Sequence, residues 1–189
     1  MRVAAKTDVG LVRQFNEDCY SVGELPNGIV WAVVCDGMGG AAGGNIASQT
    51  AARLVSETIC ASFQEHMGSR SIKHLLISAL DNANTQIFDL SAANEALSGM
   101  GTTVVAAIVS PETVFIAHAG DSRAYLFSGE KLSQLTKDHS VVQAMVDTGQ
   151  ITENEAKTHP RKNLITRAVG VSETLEVDYC EEEFAPGIF

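Results

Sequence analysis

Hydrophobic and polar positions follow two different periods along this chain, and each change of period marks a structural boundary. From Gly28 to Cys35 the residues are almost continuously apolar (Ile29, Val30, Trp31, Ala32, Val33, Val34), which predicts a strand buried on both faces. The spacing then becomes helical. Ile46, Ala47, Thr50, Ala51, Leu54, Val55, Thr58, Ile59 and Phe63 predict one amphipathic helix. Ile72, Leu75, Leu76, Ala79, Leu80, Ala83, Ile87 and Leu90 predict a second, with Ser69 or Ser71 as its cap. Two long helices between strands imply a helical layer packed on a sheet.

After Gly101 the period returns to that of strands, over Thr102–Val109, Thr113–Ala119 and 124–127. Ser110-Pro111-Glu112, Gly120-Asp121-Ser122-Arg123 and Ser128-Gly129-Glu130 provide tight turns between them. Strands so joined are expected to be antiparallel neighbours. His118 falls inside one of them and reads as a satisfied core or half-buried residue rather than a ligand. Short apolar stripes after Asp138-His139-Ser140 and Thr152-Glu153-Asn154-Glu155 predict two small helices, the first capped by Ser140 or Asp138. His159-Pro160 ends the second. Strand-like patterning resumes over 164–171 and 175–179. The run Glu181-Glu182-Glu183 reads as solvated, Pro186-Gly187 as a turn, and Ile188-Phe189 as the opening of another strand.

A chain of 189 residues with 45% hydrophobic and 19% charged residues is an ordinary globular composition for one domain. Its net charge of −10 argues against nucleic acid and anionic membrane as partners. Four widely spaced cysteines without a CxxC pair point to free thiols in a reducing compartment. With no signal-peptide core and no membrane-length run, a cytoplasmic location is expected.

The chemistry centres on Cys35-Asp36-Gly37-Met38-Gly39-Gly40. Here a carboxylate ends a core strand and three glycines follow within four residues. Glycines allow a sharp turn and expose peptide carbonyls, so Asp36 is placed to hold a hard cation with oxygen ligands. An isolated Asp-Gly turn is the plainer alternative. Thr7 to Asp18 adds three carboxylates and Arg13 within twelve residues. This segment is either a polar loop or a set of groups, Glu17 and Asp18 with Arg13, facing the same site as Asp36. Arginine suits a phosphate there because its planar fork pairs with two oxygens at once. Asp121, also at a strand end beside glycine, repeats the placement of Asp36.

Taken in order, these segments resemble the metal-dependent protein phosphatases, the type-2C protein serine/threonine phosphatases, in their bacterial form. The resemblance rests on Thr7-Asp8-Val9-Gly10 with Arg13 and Asn16-Glu17-Asp18; Asp36-Gly37-Met38-Gly39-Gly40; Gly101-Thr102-Thr103; and Gly120-Asp121-Ser122-Arg123. It continues through Leu135-Thr136, Asp138-His139-Ser140, Gly149-Gln150-Ile151-Thr152, Glu155-Ala156, His159-Pro160 and Asn163 to Gly170, and so covers essentially the whole chain.

It implies an α+β fold, a four-layer α-β-β-α sandwich of two antiparallel sheets flanked by helices. It implies hydrolysis of phosphoserine and phosphothreonine in proteins by a water activated at two Mn2+ or Mg2+ ions roughly 3.5–4 Å apart. By resemblance Asp36 bridges both ions, and the Gly37 carbonyl and Glu17 bind one of them. Asp18 orients metal-bound water, Arg13 clamps the substrate phosphate, and Asp121 helps hold a third, weaker ion. The implied partner is a protein phosphorylated by a serine/threonine kinase, and a monomer is expected. Residues 139–170 match the family's flap beside the active site.

Three positions depart from the pattern: Ala41 and Gly44 replace a frequent His and Glu, and Met38 stands where some relatives carry a histidine proposed as general acid. The family's later Asp-Gly-Leu and Asp-Asn motifs are absent. Residues 1–189 are therefore expected to be a single catalytic domain that is incomplete at its C-terminus, with little activity of its own. The alternative is a phosphatase-like module that binds phosphoprotein without turning it over.

Overall fold

In the computed structural model, residues 1–184 are described, apart from the side chains of residues 40–42. The Pro186-Gly187 turn and the Ile188-Phe189 strand lie outside these residues, as does the side chain of Ala41. The chain adopts the α+β architecture implied by the resemblance, antiparallel sheets flanked by helices, with two sheets of unequal size. The larger is built from β1 (Asp18–Glu24), β2 (Val30–Met38), β3 (Gly101–Thr102), β4 (Val104–Val109), β5 (Thr113–Ala119) and β8 (Asp178–Glu183). Its order is β1-β2-β4-β5-β8, with β3 extending the β4 side of β2. The smaller is a hairpin of β6 (Tyr125–Ser128) and β7 (Lys131–Gln134), turned by Gly129 and Glu130 at φ 54° and 71°.

Both long helices form as the periodicity requires. Helix α1 (Gly40–Ser62) and α2 (Ser69–Ala93) pack on each other and cover one face of the large sheet. Val33, Cys35, Ala106, Ile108, Phe115 and Ala117 point up from the sheet to meet Ala47, Ala51, Val55, Ile59, Leu76, Leu80 and Ile87. Seven of the eight α2 positions in the expected stripe are buried, but Leu90, one turn from the helix end, is 44% exposed. Neither serine caps α2: the cap residue is Gly68, with no side-chain bond, and Ser69 is already helical. Asn84 is buried in the apolar stripe, where it serves the backbone of residues 170–173. Its Oδ1 accepts from Gly170 N–H at 2.7 Å and its Nδ2 donates to Ser172 O at 2.9 Å.

The opposite sheet face is only partly covered, so β2 is not buried on both faces as its apolar run predicts: Val34 points away from the helices and is exposed. Val105, Val114 and Ile116 form a small cluster with Ala124, Leu135 and Phe184, while Tyr20, Val22 and Val34 are exposed. Three strand expectations are corrected. The 102–109 run is divided at Thr103. The tight Gly120–Arg123 turn does not pair β5 with β6; β5 pairs instead with β8, some sixty residues later in the chain. The stretch 164–171 is held only by the isolated bridges Ile165–Ser140 and Val169–Thr102, and the final strand begins at Asp178. Of the apolar residues in 164–171 only Ala168 and Val169 are buried, Val169 within the main core, whereas Leu164 and Val171 are about half exposed.

Helix α3 (Val141–Asp147) is capped by Ser140, whose Oγ accepts from Gln143 N–H, and α4 (Glu153–Thr158) by the Thr152–Glu155 capping box. Asp138 is not the cap. It is paired bidentately with Arg123 at 2.6 and 2.7 Å.

Candidate active site

The strand ends of β1 and β2 open onto a cleft of about 630 Å³ lined by Arg13, Glu17, Asp36, Gly37, Thr103 and Asp121, with Phe15, Met38, Asn163 and Ile165 around them. Five of the six residues expected at the site from the sequence therefore converge here. Asp18 is the sixth. It does not line the cleft but sits in the neighbouring groove, directly opposite Asp36 on the adjacent strand.

Sheet register explains this placement. Gly37 N–H donates to Glu17 O at 3.1 Å, which makes Glu17–Gly37 a hydrogen-bonded pair. The next pair, Asp18 and Asp36, is therefore of the non-hydrogen-bonded kind, whose side chains approach most closely. Burial is the main cause that pushes the Asp36 carboxyl up to about 6, followed by the neighbouring Asp18 and then the charge of Asp121; Arg13 opposes them. Burial likewise raises Asp121.

On the helix side of the strand ends, Glu17 is held by its backbone. Its carbonyl accepts from Gly37 N–H and from Ser48 Oγ at 2.6 Å. One carboxylate oxygen, Oε2, is 3.5 Å from Arg13 Nη1. The other, Oε1, is buried without a hydrogen-bond partner. Gly44, in the first turn of α1, closes this pocket. A Cβ there would stand 2.5 Å from Glu17 Oε1 and 2.8 Å from the Met38 nitrogen, so no larger residue fits with Glu17 in this place. A Cβ on Gly37 would in turn run into the Gly44 carbonyl.

Thr103, which the sequence places in a motif without assigning it a role, ties the two carboxylate-bearing turns together. Its Oγ1 accepts from Asp36 N–H at 3.0 Å and is 2.7 Å from Ser122 Oγ, beside Asp121. Thr103 N–H donates back to Asp36 O at 2.9 Å. Only a fold that brings residues 36, 103 and 122 together makes this link visible.

Arg13 is 77% exposed and its sole side-chain partner among the described residues is Glu17. Its fork is free to turn into the cleft. The donor set around Asp36 is all oxygen and strongly acidic, with one orphaned carboxylate oxygen. These are features that a hard divalent cation satisfies. The residues present fit such an ion.

A second cluster stands behind the Asp121 turn: atoms of His118, His139 and Asp178 lie within 4.8 Å of one another. His118 is buried as expected, but it is not satisfied, since its Nδ1 has no partner. Among the described residues no helix is long and apolar enough to cross a membrane, and all four cysteines are free.

Comparison with known proteins follows the same lines. Residues 12–172 match the family model described as protein phosphatase 2C. The chain is 40% identical over 181 residues to the serine/threonine phosphatase stp of Listeria welshimeri, across 94% of this chain and 70% of that protein. It is 36% identical to the protein phosphatase PhpP of Streptococcus pneumoniae, across 95% of this chain and 72% of the relative. The crystal structure of the serine/threonine phosphatase Stp1 from Staphylococcus aureus superposes with a TM-score of 0.88 at 34% identity, over 94% of this chain and 69% of that one. That of the Mycobacterium tuberculosis serine/threonine phosphatase PstP/Ppp gives 0.83 at 35% identity, over 95% and 72%. A family match over most of the chain, with the carboxylate cleft at the strand ends, leads to one conclusion: this chain belongs to the bacterial protein phosphatase 2C family of serine/threonine phosphatases.

Proposed function

We propose that this protein hydrolyses phosphoserine and phosphothreonine in proteins, with Mn2+ or Mg2+ held in the cleft between β1, β2 and the Gly120–Arg123 turn. The observation that carries the reading is the buried, partnerless Glu17 Oε1 beside an Asp36 carboxyl pushed up to about 6. Both groups gain a partner when a divalent cation is present.

In this reading Asp36, Glu17 and the Gly37 carbonyl would hold the catalytic ions, with Asp36 the shared ligand. Asp18 orients the Asp36 side from outside the cleft, and Asp121 serves a third, weaker ion. Bound there, such ions supply Lewis-acid polarisation of the phosphoryl group and lower the pKa of a nucleophilic water. The chain's own contribution is positional. The β1–β2 register fixes the spacing of Asp18 and Asp36, and Thr103 fixes the Asp36 backbone. Arg13 trades its long contact with Glu17 for two phosphate oxygens. Residues 139–170 act as the flap, through Asn163 and Ile165, which line the cleft. The partner is a phosphoprotein made by a serine/threonine kinase, met in the cytoplasm by a monomer.

The test is Mn2+-dependent phosphate release from a phosphothreonine peptide. Asp36→Asn should lose more than about 100-fold, beyond the cost of removing an outer-sphere partner. Unchanged release by that variant overturns the assignment. Arg13-dependent peptide binding without any release at saturating Mn2+ would make the chain a binding module instead.

A further inference from the structure

The His139 imidazole joins three separate parts of the chain at one buried point. It lies in the connection from β7 to α3 and is 7% exposed. Its Nδ1 accepts from Gly120 N–H at 3.1 Å, and the His139 backbone N–H donates to Gly120 O at 2.9 Å. Its carbonyl accepts from Thr166 N–H at 2.8 Å, at the far end of the 139–170 segment. Because Nδ1 is an acceptor, the neutral ring carries its proton on Nε2, which is 3.2 Å from Asp178 Oδ2. Arg167 anchors the other oxygen of Asp178 at 2.7 Å. His118 stacks on the ring, centroids 4.7 Å apart and planes 12° from parallel, which fixes its tilt.

Gly120 is the residue before Asp121, at φ +112°, and a Cβ there would be 2.6 Å from Thr103 Cβ. The turn carrying Asp121 is thus pressed on one side against the residue that holds Asp36, and gripped on the other by His139.

We propose that His139, with its tautomer set by Asp178 against Arg167, is a positioning residue for the Asp121 metal ligand. It aims the Asp121 carboxylate into the cleft without touching substrate or ion. The arrangement has the form of a carboxylate–histidine pair acting on a ligand from outside, here through a backbone amide. A cation bound among His118, His139 and Asp178 is less well served. The near-parallel rings do not converge their lone pairs, and an ion on Nε2 would need Nδ1 protonated and the Gly120 bond broken. This assignment rests on the reading of Asp121 as a metal ligand.

The experiment is equilibrium Mn2+ binding, followed by the spin-resonance signal of the free ion, on the chain and four variants. It is paired with amide exchange at Gly120 and imidazole nitrogen shifts by NMR. His139→Gln puts its amide near the Nε2 position and leaves Gly120 N–H unbonded. It should weaken the Asp121-dependent Mn2+ binding about tenfold and speed Gly120 exchange by a similar factor. His139→Asn keeps an acceptor where Nδ1 stands and should recover most of both.

Asp178→Ala, at a half-exposed position, keeps the imidazole in case the His139 variants misfold. With the carboxylate gone, Arg167 Nη1, already 3.1 Å from Nε2, faces its lone pair. The proton should move to Nδ1, the nitrogen shifts should exchange, and Mn2+ binding should fall as in His139→Gln. Asp121→Asn is the reference. If it weakens Mn2+ while His139→Gln and Asp178→Ala bind as the parent does, the positioning role is overturned and the reading of Asp121 stands. If Asp121→Asn itself binds Mn2+ unchanged, the metal reading of Asp121 fails and the proposal falls with it. If Mn2+ binding falls in His139→Gln but Zn2+ titration shifts the His118 resonances at stoichiometric ion, the cluster is a metal site in its own right and the positioning role is again overturned.

Discussion

Asp18 and Asp36 stand directly opposite each other on adjacent antiparallel strands, as a non-hydrogen-bonded pair whose side chains share one face of the sheet. Two like charges so placed cannot both ionise cheaply without a cation. With Asp36 raised to about 6 from 3.8, the folded metal-free chain binds more protons than the unfolded chain between those values. Stability therefore falls as pH rises through this window, and the penalty is complete above about 6. Asp36→Asn should be more stable than the parent above pH 6 in chelator and gain nothing at pH 4. Discounted for the half-open, screened position, the gain is on the order of 1 kcal/mol. Urea unfolding across pH checks this, and added Mn2+ should reverse the order by stabilising only the parent.

Thr103→Val removes the acceptor for Asp36 N–H and the link to Ser122 while keeping the side-chain shape. A buried N–H left without a partner costs about 1–3 kcal/mol. The expected result is that loss in urea unfolding, with weaker Mn2+ activation, whereas Thr103→Ser retains both. Equal behaviour of the two variants would remove Thr103 from the site.

Gly44→Ala places a Cβ against Glu17 Oε1 and against backbone atoms of Gly37 and Met38. The backbone cannot give way as a flexible side chain can, so overpacking should cost about 1–3 kcal/mol. Displacement of Glu17 should raise the Mn2+ concentration needed for half-maximal activity. A melt and a Mn2+ titration of the same variant decide whether both effects appear together.

His118 sits 3% exposed among His139, Asp178, Arg167 and Asp138, and burial is the first cause that lowers its pKa to about 4, followed by the charge of His139. Here the unfolded chain binds the extra proton between about 4 and 6.5. Stability is then lost as pH falls through that range and is unaffected above it. His118→Phe should flatten this acid limb of the stability profile. An identical limb in the variant would place the acid sensitivity elsewhere.

Local spacing determined a good deal of this protein by itself. The stripes of α1 and α2, the strand character of β2, the Ser140 and Thr152 caps and the position of Asp36 at a strand end all follow from periods of two or about 3.6 residues and from short turn chemistry; burial of β2 on both faces does not, since Val34 is 47% exposed. These rules act over a few residues, so sequence carries them in full. The motif order likewise made the family and the Arg13, Glu17, Asp36, Gly37 and Asp121 set legible before any contact was seen.

Tertiary structure alone decided which strands pair. β5 turns tightly into β6, yet takes β8 as its neighbour, because burial of the sheet outweighs the proximity of the next strand. Pairing across such separations is chosen by burial and register, which no local window records. The same holds for the side chains that support the site. Asp18 comes to face Asp36 because the β1–β2 register sets residues 18 and 36 opposite each other on one face of the sheet. Thr103 and His139 matter because residues 67 positions after Asp36 and 19 after Gly120 are folded against them.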